Sequence, residues 1–197
     1  NVLGLVMGGP VVIAHGDEEQ KERYLEPIRS GEEIWCQGFS EPDAGSDLAA
    51  VRTSIDARNG SFVVNGQKVW SSFAHIADHC ILVGRSDPDS QRHAGLTYII
   101  VDMKAPGVEV RPLRQITGEA EFNEIFLTDV EVPKENLLGE IGGGWQVAMT
   151  TLLHERGTLG FALGGALELQ VQKLVALTKE KGADDPIIRD RVAQEWI

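Results

Sequence analysis

The chain has 197 residues, 42% of them hydrophobic, which is enough apolar material to bury a core in one domain or two. Its formal net charge of −12 argues against a nucleic-acid partner, because a phosphate backbone requires a basic surface. No apolar run reaches the length of about eighteen residues that a membrane-spanning helix needs, so no membrane span is predicted.

Residues 1–30 are predicted to be helical. Asp17 is placed as the N-cap of a helix over 18–29, and Gln20 stands three positions later, where a capping box requires it. Gly31 follows as the residue that ends this helix.

The next segment is a loop whose residues suit a polar or phosphorylated ligand. Its hydroxyls, small residues and stiffening proline are also those of an ordinary surface turn, and both interpretations stand on this loop alone. It reads Gln37-Gly38-Phe39-Ser40-Glu41-Pro42-Asp43-Ala44-Gly45-Ser46-Asp47.

From residue 36 to about 133 the pattern is that of short strands separated by turns, which predicts a small antiparallel barrel or sandwich. Asn59-Gly60 and Asn65-Gly66 are predicted to be turns, and Trp70 is predicted to follow a hairpin that places it at a strand end. The predicted strands are 51–57, 62–65, 81–84, 96–102, 108–111 and 124–127.

Beyond a glycine hinge at 142–144, a long helix is predicted over 147–181. Asp185 and Pro186 are placed as the N-cap and first residue of a further helix. The long helix carries glycines that would let another helix or a ligand approach its backbone, namely Gly157, Gly160, Gly164 and Gly165.

The cysteines and histidines predict no metal site. Cys36 and Cys80 lie far apart without ligand spacing, and they favour two buried thiols in a reducing compartment over a disulfide. His75 and His79 stand four apart, but in a strand-rich stretch without an acidic or thiolate partner at ligand spacing.

Four motifs, in this order along the chain, resemble those of the acyl-CoA dehydrogenases. They are the 37–47 loop, Asn65-Gly66-Gln67-Lys68-Val69-Trp70, the run from Phe122-Asn123-Glu124-Ile125-Phe126 to Asp129-Val130-Glu131-Val132-Pro133, and His154-Glu155-Arg156-Gly157. The resemblance covers nearly the whole chain. It implies an α+β fold with an all-α N-terminal segment, a central antiparallel β-barrel domain and a C-terminal helical-bundle segment.

The domains implied are 1–33 as the end of an N-terminal helical domain, 34–138 as the barrel and 139–197 as the start of a C-terminal helical domain. The chain lacks an initiator Met and ends at Trp196-Ile197 within an apparent helix, so we expect a fragment of a longer protein.

The resemblance also implies α,β-dehydrogenation of an acyl-CoA thioester. A carboxylate removes the α-proton, the β-hydrogen passes as hydride to N5 of FAD, and an electron-transfer flavoprotein reoxidises the flavin. A homodimer or homotetramer is expected, in the cytoplasm of a bacterium or in the mitochondrial matrix of a eukaryote.

Two groups of residues are expected to hold the FAD. From the loop these are Gln37, Phe39, Ser40, Gly45 and Ser46, with Ser46 also touching the CoA. After the second motif they are Trp70 against the flavin ring, Ser71 in the pocket floor, and Ser72 bonding near N5. The alternative for Trp70 is core packing, which is the commoner fate of an aromatic residue in a strand.

Glu155 is the candidate catalytic base, because in the isovaleryl-CoA and long-chain branches of the family the base directly precedes this helix arginine. In other branches the base lies further downstream. The alternative for Glu155 is an exposed Glu-Arg ion pair without a catalytic role. Arg156, Leu153 and His154 are expected to line the substrate wall.

The chain departs from the family pattern at two places. The Arg-x-Phe-Gly motif that contacts the FAD of a neighbouring subunit is replaced by Lys181-Gly182-Ala183-Asp184-Asp185-Pro186, and Ser71 stands where Ile or Thr is frequent. An acyl-CoA oxidase or flavin monooxygenase on the same scaffold, or a non-catalytic FAD- or acyl-CoA-binding paralogue, are the competing functions.

Overall fold

The computed structural model describes residues 1–182 and 185–195, with the backbone alone at 158, 159, 161 and 162. The chain divides into two compact units, Asn1–His154 and Glu155–Ile197. Four residues lie outside the described part of the chain: Ala183 and Asp184, in the segment that differs from the family motif, and Trp196 and Ile197.

The N-terminal residues are helical, as predicted. A π-helical turn over Gly4–Gly8 leads into α1 (Gly9–His15), and α2 follows over Glu18–Ser30. The predicted capping box is confirmed: the Asp17 carboxylate accepts from the backbone N–H of Gln20, and the Gln20 side chain accepts from the N–H of Asp17.

Seven strands form one sheet in the first unit. Their order is β1-β4-β2-β3-β7-β6, with β5 paired to β4. The strands are β1 (Trp35–Gly38), β2 (Ser54–Arg58), β3 (Ser61–Lys68), β4 (His79–Arg85), β5 (Leu96–Asp102), β6 (Val108–Leu113) and β7 (Phe122–Pro133). The predicted fold class is confirmed, with parallel pairing of β1 and β2 to β4 as an addition to the antiparallel ladders.

The predicted turn at Asn65-Gly66 is wrong, although the one at Asn59-Gly60 is confirmed. β3 runs through Gly66 to Lys68, because glycine there allows Thr53 to approach: a Cβ would lie 2.8 Å from Thr53 Cα. Asn65 instead bonds to Asp129 at a bulge, where β7 has two residues, Thr128 and Asp129, opposite this one residue of β3. Trp70 stands just past the end of β3, the second strand of the hairpin that turns at Asn59-Gly60.

The sheet has apolar side chains on both faces. Along β4, Ile81 and Val83 pack with the helices, whereas Cys80 and Leu82 pack with the apolar residues of β2, β3 and β7. Cys36 and Cys80 are register partners on β1 and β4 and are free thiols, as the sequence favoured. Burial raises the pKa of the Cys36 thiol.

Two helices follow the sheet, α3 over Gly144–Glu180 and α4 over Pro186–Gln194. Asp185 caps α4 as predicted, accepting from the N–H of Ile187. Within the first unit, the Thr151 and Tyr98 hydroxyls share a buried hydrogen bond of 2.9 Å. No helix in the described part of the chain is both long and apolar enough to cross a membrane.

Substitution of Gly144 should destabilise the first unit. A Cβ at Gly144 would lie 2.6–2.8 Å from backbone atoms of Thr97, so Gly144→Ala should lower the free energy of unfolding by about 1–3 kcal/mol. Gly143→Ala is the matched control, because its Cβ would meet Glu140 O at 3.3 Å, a contact that a small shift relieves. Urea unfolding of the intact protein measures both; equal losses would contradict the close approach of α3 to β5.

Candidate functional site

A buried ion pair lies beneath the 37–47 loop. The Lys68 ammonium at the end of β3 is fully buried and donates to the Glu41 carboxylate at 2.8 Å and to the Phe39 carbonyl at 3.0 Å. The same carboxylate accepts from the backbone N–H groups of Arg52 at 2.7 Å and Thr53 at 2.9 Å. One pair of charges thus joins the loop, the end of β3 and the residues before β2.

The hydrogen bonds explain why the Glu41 carboxylate is stable in the ionised form. Burial acts to raise the pKa of Glu41, but the charge and hydrogen bond of Lys68 and the N–H of Arg52 outweigh it and hold that pKa below its ordinary value. Burial lowers the pKa of the Lys68 ammonium, and the charge of Glu41 opposes that shift. Both groups are well bonded, as a buried pair must be to persist.

The 37–47 loop has a fixed backbone and an open surface. Glu41 and Ala44 exchange two backbone hydrogen bonds, at 2.7 and 3.1 Å, and the Val69 N–H donates to the Ser40 carbonyl at 2.9 Å. Gly45 and Ser46, which follow this turn, are exposed. A loop held in this way presents hydroxyls and backbone to a ligand without having to order on binding.

Of the predicted flavin residues in this loop, Gln37 and Ser40 are half-buried. The Phe39 ring, by contrast, is 6% exposed and packs edge-on against Tyr98 with 5.8 Å between ring centroids. The Phe39 side chain therefore belongs to the core, and its carbonyl already accepts from the buried Lys68 ammonium.

The residues 70–75, which we call the 70–75 segment, leave β3 in a strained conformation. Trp70 has a φ of 61° and Phe73 a φ of 60°, values that bulky residues rarely adopt. Each costs on the order of 1–3 kcal/mol and persists only where surrounding contacts impose it. The Trp70 side chain is 62% exposed and meets Phe122 edge-on at 5.9 Å, so it is not core packing.

The 70–75 segment fits a flat, polar ring system. The exposed Trp70 face offers a stacking surface. The adjoining Ser71 is 1% exposed, yet its hydroxyl has no hydrogen-bond partner within the described residues, so a donor or acceptor remains for a bound group. Ser72 is half-buried beside it. These are the features that an isoalloxazine ring requires, and the residues present are compatible with FAD.

The remaining predicted residues lie where the two compact units divide. Leu153 and His154 are exposed at the end of the first unit, and half-buried Glu155 and exposed Arg156 open the second. Their roles as base and substrate wall stay predictions from the resemblance.

The two histidines four apart have separate partners. His75 Nδ1 lies 3.2 Å from the amide nitrogen of Asn123, whereas His79 Nε2 lies 3.2 Å from the Glu33 carboxylate. Burial lowers the pKa of His79.

Sequence reasoning assigned no role to Lys68, Glu41 or Asn123, although all three stand within the quoted motifs. A signal for Lys68 existed: counting by twos from Phe62 and Val64 places it on the buried face of β3. The turn wrongly predicted at Asn65-Gly66 ended the strand too early for that count.

Comparison with known proteins gives a family model and many relatives. The model described as the acyl-CoA dehydrogenase middle domain matches residues 36–130. Acyl-CoA dehydrogenase IpdE1 of Mycobacterium tuberculosis is 47% identical over 199 residues, covering 100% of this chain and 51% of that protein. The chain spans about half the length of the curated relatives it matches first, at 51% and 53%.

Two solved structures are similar over most of the chain. The Tcur3481-Tcur3483 steroid ACAD is 35% identical with a TM-score of 0.83, covering 98% of this chain and 50% of that one. The ChsE4-ChsE5 complex from Mycobacterium tuberculosis is 35% identical with a TM-score of 0.72, covering 78% and 39% respectively.

Removal of the Lys68 charge should destabilise the first unit strongly. Lys68→Met leaves the Glu41 carboxylate buried without its counter-ion, and should lower the free energy of unfolding by about 3–5 kcal/mol. Lys21→Met, which breaks the exposed Lys21–Glu18 pair, should cost less than about 1 kcal/mol. Denaturant unfolding measures both, and a Lys68→Met loss no larger than that of Lys21→Met would refute the buried-pair account.

The contribution of Glu41 should depend on pH. Because its pKa is below the ordinary value of 4.5, the stability it adds is fully present above that pH and is lost as pH falls through the folded-state pKa. Unfolding free energies of the parent and of Glu41→Gln should therefore differ most near neutral pH and converge as the pH falls below about 4. A difference that is constant across this range would contradict the assignment.

Proposed function

This chain belongs to the acyl-CoA dehydrogenase family, and from that premise we propose that the intact protein binds FAD and dehydrogenates an acyl-CoA thioester between its α and β carbons. The observation that carries the proposal is the Trp70 side chain, held exposed in a strained backbone beside the buried, unpartnered hydroxyl of Ser71. Neither the exposure nor the strain serves the core.

The residues of this chain would hold and orient the reactants. The 37–47 loop supplies Gln37, Ser40, Gly45 and Ser46 along the ring and its phosphate side, and Trp70 supplies a stacking surface. Bound FAD would supply a two-electron acceptor for the β-hydrogen.

Hydrogen-bond donors and acceptors near the ring set how readily it takes electrons. Ser72 is proposed to hydrogen-bond near N5 of the flavin. Ser71 is proposed to bond to the ring from the pocket floor, because its hydroxyl has no partner among the described residues.

Glu155 is the proposed base, which takes the proton from the α carbon. Its neighbours on α3 are proposed to line the substrate wall, next to the thioester and the CoA; they are Leu153, His154 and Arg156. A carboxylate in this role typically contributes a factor of about 10²–10⁴ to the rate.

The acyl group is proposed to be bulky and steroid-derived. Support comes from the similar structure described as a steroid ACAD, which covers 98% of this chain. That protein and the ChsE4-ChsE5 complex each bear two component names, so the intact protein is proposed to work in an oligomer, either of identical copies or with a second, different subunit.

The electron acceptor and the compartment complete the proposal. An electron-transfer flavoprotein would reoxidise the flavin, as the family relationship implies. The free thiols of Cys36 and Cys80 agree with a reducing compartment, and we propose the cytoplasm of a bacterium or the matrix of a mitochondrion.

The Glu155→Gln variant of the intact protein tests the base. Anaerobic mixing with a steroid-derived acyl-CoA should bleach the flavin absorbance of the parent, and the variant should bleach about 10²–10⁴ times more slowly at unchanged flavin content. Glu168→Gln, at an exposed position on the same helix, is the matched control and should bleach at the parent rate.

The remaining outcomes separate the competing functions. Bleaching of Glu155→Gln at the parent rate would move the base elsewhere in the intact protein. Aerobic turnover that yields peroxide without an added electron acceptor would instead identify an oxidase. A parent that binds FAD and never bleaches with any acyl-CoA would identify a non-catalytic binding paralogue.

A further inference from the structure

Asn123 is a fully buried side chain on β7 that faces the 70–75 segment. Its amide nitrogen Nδ2 donates to the Ser71 carbonyl at 3.0 Å and to the Glu121 carbonyl at 2.9 Å, and it lies 3.2 Å from Nδ1 of His75. The two carbonyls fix the orientation of the amide, because its oxygen in that place would face two other acceptors.

The backbone around Asn123 repeats the same connection. Ser71 and Asn123 exchange two backbone hydrogen bonds, at 3.0 and 3.1 Å, and the Phe73 N–H donates to the Glu121 carbonyl at 2.9 Å. β7 is therefore joined to the 70–75 segment by main chain and side chain together, between the two residues with positive φ, Trp70 and Phe73.

We propose that Asn123 is the residue that positions the 70–75 segment for the ligand, and this inference rests on the proposed function. A strained segment keeps its conformation only where neighbouring contacts impose it. Asn123 supplies a side-chain contact at Ser71, directly between the exposed Trp70 ring and Ser72, and so sets the positions of both.

Asn123→Leu tests the proposal, because it keeps the branched shape and the number of heavy atoms of the side chain and removes the hydrogen-bonding groups. The Ser71 and Glu121 carbonyls each keep one backbone N–H partner, so the variant should fold while losing the side-chain contact. Asn65→Ala is the matched control, since it removes another asparagine side chain bonded across to β7, but one on β3 that meets Asp129 in the β7 bulge.

Hydrogen exchange of the intact, flavin-free protein reports the contact directly. In Asn123→Leu the amides of Ser71 and Phe73 should exchange about tenfold faster, as local opening of the segment becomes easier, while those of β4 remain protected. Asn65→Ala should leave the Ser71 and Phe73 amides unchanged. Unchanged exchange in Asn123→Leu would overturn the proposal.

Flavin reduction by the acyl-CoA then separates positioning from stability. Asn123→Leu should lower the rate of reduction about 10- to 100-fold with the KM for acyl-CoA nearly unchanged, whereas Asn65→Ala should retain the parent rate. Faster exchange with a parent-like rate would overturn the positioning role. Failure of the parent itself to reduce flavin would refute the proposed function, and the exchange result would still decide whether Asn123 holds the segment.

Discussion

The salt bridge between Lys68 and Glu41 is the interaction on which the candidate site depends. Because the Lys68 ammonium is fully buried, protein groups must stabilise its charge. The Glu41 carboxylate and the Phe39 carbonyl, both in the loop, do so. The consequence is that the 37–47 loop cannot move away from the end of β3 without exposing a buried charge. The loop that is proposed to bind the ligand is thereby held at a defined place, while Gly45 and Ser46 stay exposed.

The strained backbone of the 70–75 segment depends on this ion pair. Two bulky residues with positive φ lie just past Lys68, where β3 ends and β7 continues beside it. The ion pair holds the start of the segment and Asn123 holds its middle, so the unfavourable backbone is imposed from both sides. Strain of this kind is found at ligand sites, where a fixed geometry before binding lowers the cost of binding.

The sequence predicted the parts of the fold that local chemistry determines. The capping box of α2, the N-cap of α4 and the extent of β5 follow from residue type and spacing. The turn predicted at Asn65-Gly66 is wrong because an Asn-Gly pair can either form a hairpin turn or place a glycine where another segment packs closely. The close approach of Thr53 shows that the second applies here. The motifs indicated a flavin site, but the contacts of Lys68 and Asn123 join residues 27 and 52 positions apart, and pairing at that distance is decided by the assembled sheet.

The 37–47 loop and the 70–75 segment are proposed to form one face of a flavin site together. A crystal structure of the intact protein with bound FAD would show whether they do. We expect the isoalloxazine ring against the Trp70 side chain, with Ser71 or Ser72 hydrogen-bonded to the ring and the Lys68–Glu41 pair intact beneath the loop. A flavin bound away from Trp70, with the Ser71 hydroxyl still unpartnered, would contradict it.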